Sequence, residues 1–230
     1  MTGGQLRAAR EQKGWNQEQA RLKLGVSQAY LSLLERGERR IPEKLALKAV
    51  RVYGLSEAFL PLKSEWDEAP PPDNNSLASD LAALGYPGLS HLKSNGQKKN
   101  PAEFLLAALG KDNLDSRLVD ALPWVVWRFH DLNWQWLINS AKVKDLQNRL
   151  GFVTSVARRL AEMRGEREKA ASLAEQESVL ERSRLLREDT LCHESLTEAE
   201  KQWLRKNRPA EAKHWRLLTD LTPEQLNHVI

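Results

Sequence analysis

The side chains able to do covalent or metal chemistry are few and dispersed. The five histidines are His91, His130, His193, His214 and His228. They lack the spacing that closes ligands around zinc. The one cysteine, Cys192, stands beside His193, but adjacent side chains diverge on a regular element, which argues against a thiol–imidazole pair. No nucleophile elbow, dinucleotide fingerprint or carboxylate pair stands out. The basic run Leu92–Asn100 contains a glycine turn but lacks the Gly-Lys-Ser/Thr ending of a phosphate-binding loop. It reads as a solvated loop, with contact to nucleic acid or an acidic partner as the alternative. Trp124, Trp127, Trp134 and Trp136 crowd together, and aromatics this dense are chiefly core. The alternative is a partner surface at the turn carrying Trp127, His130 and Trp134, because tryptophan is enriched at interface hot spots. The expectation is therefore a non-enzyme with no cofactor and no metal.

Chemistry that is not covalent must come from charge and shape. The chain has 230 residues, 41% hydrophobic and 29% charged, with a net charge of +4. That supports a packed core and one or two domains. A lone cysteine fits a reducing compartment. No apolar run approaches the ~18 residues of a membrane span, and the first residues lack a signal pattern, so a cytoplasmic protein is the expectation. The charge is uneven. Residues 1–63 hold 12 Lys/Arg against 6 Asp/Glu, while residues 64–230 hold 23 against 25. A basic head on a near-neutral body suggests a polyanion-binding module; the alternative is a solvated surface.

The head, residues 1–63, reads as five short helices. Asn16 with Gln19 has capping-box spacing, and Ser27 can cap a helix from Gln28 to Arg36. Pro42 suits a first helical turn, and Ser56 opens a short last helix. Between residues 17 and 36 a turn containing Gly25 joins two helices that can cross steeply, with Val26, Leu31 and Leu34 pinning the second to the first. Gln28, Ala29, Ser32 and Leu33 are left on the free face.

The string Gly14-Trp15-Asn16-Gln17-Glu18, then Leu24-Gly25-Val26-Ser27-Gln28-Ala29-Tyr30-Leu31-Ser32, Leu34-Glu35-Arg36-Gly37 and Ile41-Pro42 resembles the phage-repressor (Xre/Cro-like) helix-turn-helix family. The chain departs from that pattern at Ala20-Arg21, where the family usually has a large apolar residue followed by a small one. The resemblance implies that helix 28–36 enters the major groove by its N-terminal end. It implies base reading by Ser27, Gln28, Ala29 and Ser32, with Gln28 bidentate to adenine. It also implies phosphate contacts from Gln17, Tyr30, Arg36, Arg39 and Arg40. The partner would be a double-stranded operator bound by a homodimer.

Residues 64–76 read as a Pro-rich linker, with Pro70-Pro71-Pro72 favouring an extended spacer and Trp66 docking on one domain. Residues 77–230 read as a larger all-helical domain for interaction or dimerisation, without a repeat period. The expected helices include 102–109, 116–122, 124–129, 134–141, 143–163, 169–187, 198–206, 210–218 and 224–229. The segment from Asn100-Pro101 through Leu132-Asn133-Trp134 to Asn148-Arg149-Leu150-Gly151 is similar to the C-terminal regions of bacterial helix-turn-helix proteins encoded beside nucleotidyltransferase-like toxins. That similarity implies an antitoxin. The overall expectation is an all-α transcriptional regulator acting as a repressor, the antitoxin of a toxin-antitoxin system. A protein-interaction module that neutralises a toxin or enzyme, with DNA binding secondary, is the alternative. Small-ligand sensing near the tryptophans is a third reading.

Overall fold

The computed structural model describes residues 1–62, 72–92 and 99–226. The docking expected of Trp66, the centre of the basic loop and the end of the last expected helix lie outside the described residues. The chain divides into two compact units, Met1–Lys63 and Ser64–Ile230. Among the described residues the fold is all-α, with twelve α-helices and one pair of two-residue strands. No described helix is long and apolar enough to cross a membrane.

The N-terminal unit contains α1 (Gly3–Gln12), α2 (Gln17–Leu24), α3 (Gln28–Glu35) and α4 (Glu43–Tyr53). The expected fifth helix is a single 3₁₀ turn, Glu57–Phe59, capped by Ser56. Local chemistry sets the boundaries. Thr2 and Asn16 each form a full capping box, with Gln5 and Gln19 respectively. Each box satisfies two backbone groups that a helix start would otherwise leave unpaired. Leu6, Leu24, Leu31 and Leu34 interdigitate with Ala9, Ala20, Ala49 and Tyr53 as the core. Gly3 lies so close to the end of α3 that an added Cβ would sit 2.2 Å from the Leu34 carbonyl.

The C-terminal unit is built around one enclosed helix. Its elements are α5 (Asn74–Ala83), α6 (Pro101–Leu109), α7 (Ser116–Arg128), α8 (Trp134–Val143), α9 (Gln147–Met163), α10 (Arg167–Glu181), α11 (Glu198–Asn207) and α12 (Ala210–His214). Strands β1 (Asp189–Thr190) and β2 (Leu217–Leu218) pair in parallel. Nearly every residue of α9 from Gln147 to Ala161 is buried, so its surroundings must satisfy its polar groups. Arg149 donates to both carboxylate oxygens of Asp189 at 2.8 and 3.0 Å and to the Leu109 carbonyl at 2.8 Å. Asn148 exchanges two hydrogen bonds with the backbone of Leu185, at 2.8 and 3.0 Å. Gly151 supplies the room for Trp215, whose ring would lie 2.3 Å from an added Cβ.

Several expected boundaries move. Residues 74–76, expected in the linker, belong to α5, because Asp73 caps its first turn through Ser76. The break expected at Pro123 does not occur. α7 continues through it, because burying Leu118, Leu122, Trp124, Val125 and Val126 outweighs the cost of an interior proline, about 3 kcal/mol for its lost hydrogen bond and ring clash together. The helix expected from 143 to 163 starts at Gln147, after Asp145 takes a left-handed φ of 57°. The helices expected to reach Arg187 and Leu218 stop at Glu181 and His214, and the chain beyond each supplies the strand pair. Residues 223–226 form a 3₁₀ turn.

Candidate nucleic-acid interface

The helix-turn-helix is α2, a three-residue turn and α3. Gly25 closes α2 at φ 73°, a left-handed conformation that costs a side-chain-bearing residue more than glycine. Its N–H and that of Val26 both donate to the Arg21 carbonyl, at 2.7 and 3.1 Å. Val26 packs against the core. Ser27 then accepts from the Tyr30 N–H at 3.2 Å and starts α3. The departure at Ala20-Arg21 is accommodated simply. Ala20 is fully buried, and Arg21 turns outward to pair with Glu18.

Ser27, Gln28 and Ala29 are exposed at the start of α3, with Ser32 half-buried one turn later. This is a single helix end bearing an amide, a methyl and two hydroxyls, suited to base edges in the major groove. Leu31 and Leu34, on the other face, are fully buried and fix its rotation.

A buried ion pair holds α3 against α1 and α2. Arg10 Nε donates to Glu35 Oε1 at 2.6 Å, and Arg10 Nη2 donates to Oε2 at 3.0 Å. Arg10 Nη1 donates to the Trp15 carbonyl at 2.8 Å. The two side chains are only 10% and 2% exposed. The Glu35 hydrogen bonds raise the Arg10 pKa further. Burial, followed by the Glu35 charge, pushes the nearby Tyr53 phenol up to about 12.

Gln17 belongs partly to this lock. Its side-chain amide donates to Glu35 Oε2 at 3.0 Å. One of the two amide N–H groups expected at a phosphate is therefore engaged inside the fold, while the backbone N–H stands in the open first turn of α2. Tyr30 packs its ring on the core, half-buried. Arg36 forms an ion pair with Glu38 at 2.8 Å. Arg39 and Arg40 are exposed and make no ion pair among the described residues. The sequence reading assigned no role to Arg10 or Glu35. The available signal was charge at core spacing, with Glu35 directly after Leu31 and Leu34, and Arg10 after Leu6 and Ala9.

The other expected sites separate. Trp134 is buried and its indole N–H donates to the His130 carbonyl at 2.9 Å, so it is a structural residue rather than a surface. Trp127 is half-buried, donates to Glu166 at 2.7 Å and carries the Lys169 ammonium 4.0 Å from its ring centroid. His130 is half-buried. Cys192 is buried beside the Ala108 and Leu109 carbonyls, and burial pushes its thiol up to about 12. It stays protonated at neutral pH, while His193 is exposed. Among the described residues no group of three His, Cys, Asp or Glu side chains could hold a metal ion.

Residues 6–60 match a family model described as helix-turn-helix. No curated protein matches the chain, and no solved structure matches it. The N-terminal unit is a helix-turn-helix DNA-binding domain. The protein carrying it is a DNA-binding transcriptional regulator.

Proposed function

We propose that the protein is a repressor that binds a palindromic operator as a homodimer in the cytoplasm, without catalysis. One observation carries this reading: the capped, exposed start of α3, with Ser27, Gln28, Ala29 and Ser32, held by the Arg10–Glu35–Gln17 lock. Arg39 and Arg40 supply phosphate charge, with Arg36, Tyr30 and the Gln17 backbone beside them. One small head reaches few base pairs. Two heads related by a twofold axis double the contacts and set half-sites about one helical turn apart. The test is fluorescence anisotropy on DNA selected from a random pool by the full chain. Gln28→Ala is expected to weaken binding by 1–3 kcal/mol per half-site, roughly five- to 150-fold, and to relax one base position. A folded variant with unchanged affinity and base preference refutes the assignment.

A second reading makes the C-terminal unit an antitoxin arm that neutralises a toxin protein. It is favoured by the large apolar side chains left in solvent there, Val143 at 84% and Leu186 at 76% exposed. Co-purification with the product of the adjacent gene, lost on Val143→Glu with Leu186→Glu, tests it. Retention of the complex by that pair of changes removes this surface from the reading.

A further inference from the structure

The C-terminal unit holds a cavity of about 730 Å³ that DNA binding leaves unused. Its size falls within the few hundred to a thousand Å³ typical of small-molecule sites. Its floor is aliphatic: Leu89, Leu114, Leu191, Leu218 and Leu226 line it and are buried. The start of α7, α11, β2 and the 3₁₀ turn Pro223–Leu226 form its walls. Trp203 of α11 also lines it, yet leaves 54% of its surface in solvent. Its indole therefore offers an open aromatic face beside the aliphatic floor.

The charges around the cavity have a sign. Asp120, Glu200 and Asp220 contribute carboxylates; Arg117 is the one Lys/Arg side chain lining it, and its guanidinium turns onto Asp115 at 3.3 Å. His193 also lines the cavity, exposed. Glu200 is fixed by its cap, accepting from the Thr197 N–H and hydroxyl at 2.7 Å through Oε2. Those bonds hold its carboxyl below the usual range, so it stays anionic at neutral pH. Glu200 and Trp203 are three residues apart on α11 and so share a face. Asp220 makes no ion pair among the described residues.

We propose that this cavity binds a lipophilic organic cation, an aromatic or alkyl ammonium or phosphonium. Its apolar body covers the leucine floor, and its charge lies between the Trp203 ring and the carboxylates of Glu200 and Asp220. A cation over an indole face is attracted by the ring quadrupole, and more strongly where water is excluded. Glu200 and Asp220 are exposed, so their field draws a cation to the cavity rim; a neutral apolar molecule gains nothing from them, and an anion would be repelled.

The test is calorimetric titration of the full chain with tetraphenylphosphonium and with tetraphenylborate, ions of one shape and opposite charge. Saturable one-to-one binding of the phosphonium, at least tenfold tighter than the borate, is expected. Glu200→Gln keeps a capping side chain and should not disturb the fold. Combined with Asp220→Asn, it should weaken the cation at least tenfold and abolish the preference for positive charge. Trp203→Ala should weaken it roughly three- to tenfold. Absence of saturable cation binding, equal binding of the two ions, or an affinity unmoved by Glu200→Gln with Asp220→Asn overturns the proposal. The assay contains no DNA, so operator binding by the same preparation stands or falls separately.

Discussion

Replacing Glu35 by alanine should loosen the DNA-binding unit more than any surface change could. The substitution removes both carboxylate oxygens from Arg10, which sit at 2.6 and 3.0 Å. The Trp15 carbonyl at 2.8 Å and the looser, half-exposed Glu11 carboxylate at 3.5 Å become the remaining partners of a guanidinium whose side chain is 10% exposed. Gln17 loses its acceptor as well. Breaking one side of a buried pair costs ~3–5 kcal/mol, because the remaining charge stays desolvated. A unit of this size has a total stability of roughly 3–9 kcal/mol, so a third or more of it disappears. Hydrogen–deuterium exchange of the full chain, read by peptide, is the suitable assay. Amides of α3 should exchange about a hundred- to several-thousand-fold faster, at 1.36 kcal/mol per factor of ten, while those of α9 should not change. The double change Arg10→Met with Glu35→Leu should recover more than half of the loss, since no charge is left buried. The remainder reflects the unpaired Trp15 carbonyl and Gln17 amide. A less than tenfold acceleration in the single variant, or a double variant as loose as the single one, refutes the reasoning.

Three further outcomes follow from geometry already described. Tyr53 has its pKa raised from 10 to about 12, so its contribution to stability is complete below pH 10 and is lost as pH rises from 10 through about 12. Thermal melts of Tyr53→Phe should show a flatter pH dependence there. The same variant should be neutral or slightly stabilising at pH 7, because the buried hydroxyl has no hydrogen-bond partner among the described residues. Gly151→Ala should cost ~1–3 kcal/mol or more in chemical denaturation of the C-terminal unit, since the new Cβ meets the Trp215 ring at 2.3 Å; full stability would show that α9 and Trp215 part easily. Arg39→Ala should lower the slope of log affinity against log salt by about one per head and leave base preference unchanged. An unchanged slope would place Arg39 away from phosphate.

The starts of α2 and α3 and the stop of α2 were legible because they rest on neighbours in sequence. Asn16 with Gln19, Ser27 before Tyr30 and Gly25 after Leu24 each act within four residues. The exposed start of α3 followed directly from them. The lock behind it was less legible, because Arg10 and Glu35 meet only after three helices have packed. Gln17 shows the cost of that gap, since a side chain that reads as a phosphate ligand is half-committed to Glu35. In the C-terminal unit the misreadings share a cause. Pro123 is tolerated inside α7 by burial on both sides of it, which local propensity does not contain. Apolar periodicity runs on past Val143, while the actual stop is a left-handed Asp145. The strand pair is two residues long and joins segments far apart in the chain, below what alternation can signal.

The enclosure of α9 sets an order of events during synthesis. Arg149 and Gly151 leave the ribosome well before Asp189 and Trp215, the residues that neutralise the one and cover the other. Until then the growing chain carries an uncompensated cation and an uncovered apolar helix. The first 63 residues make their own buried partners among themselves and can complete their core while the rest is still being made. A chain cut short before Trp215 would therefore retain a finished DNA-binding head on a sticky, half-built body. Such a fragment could still occupy an operator while being marked for aggregation or proteolysis.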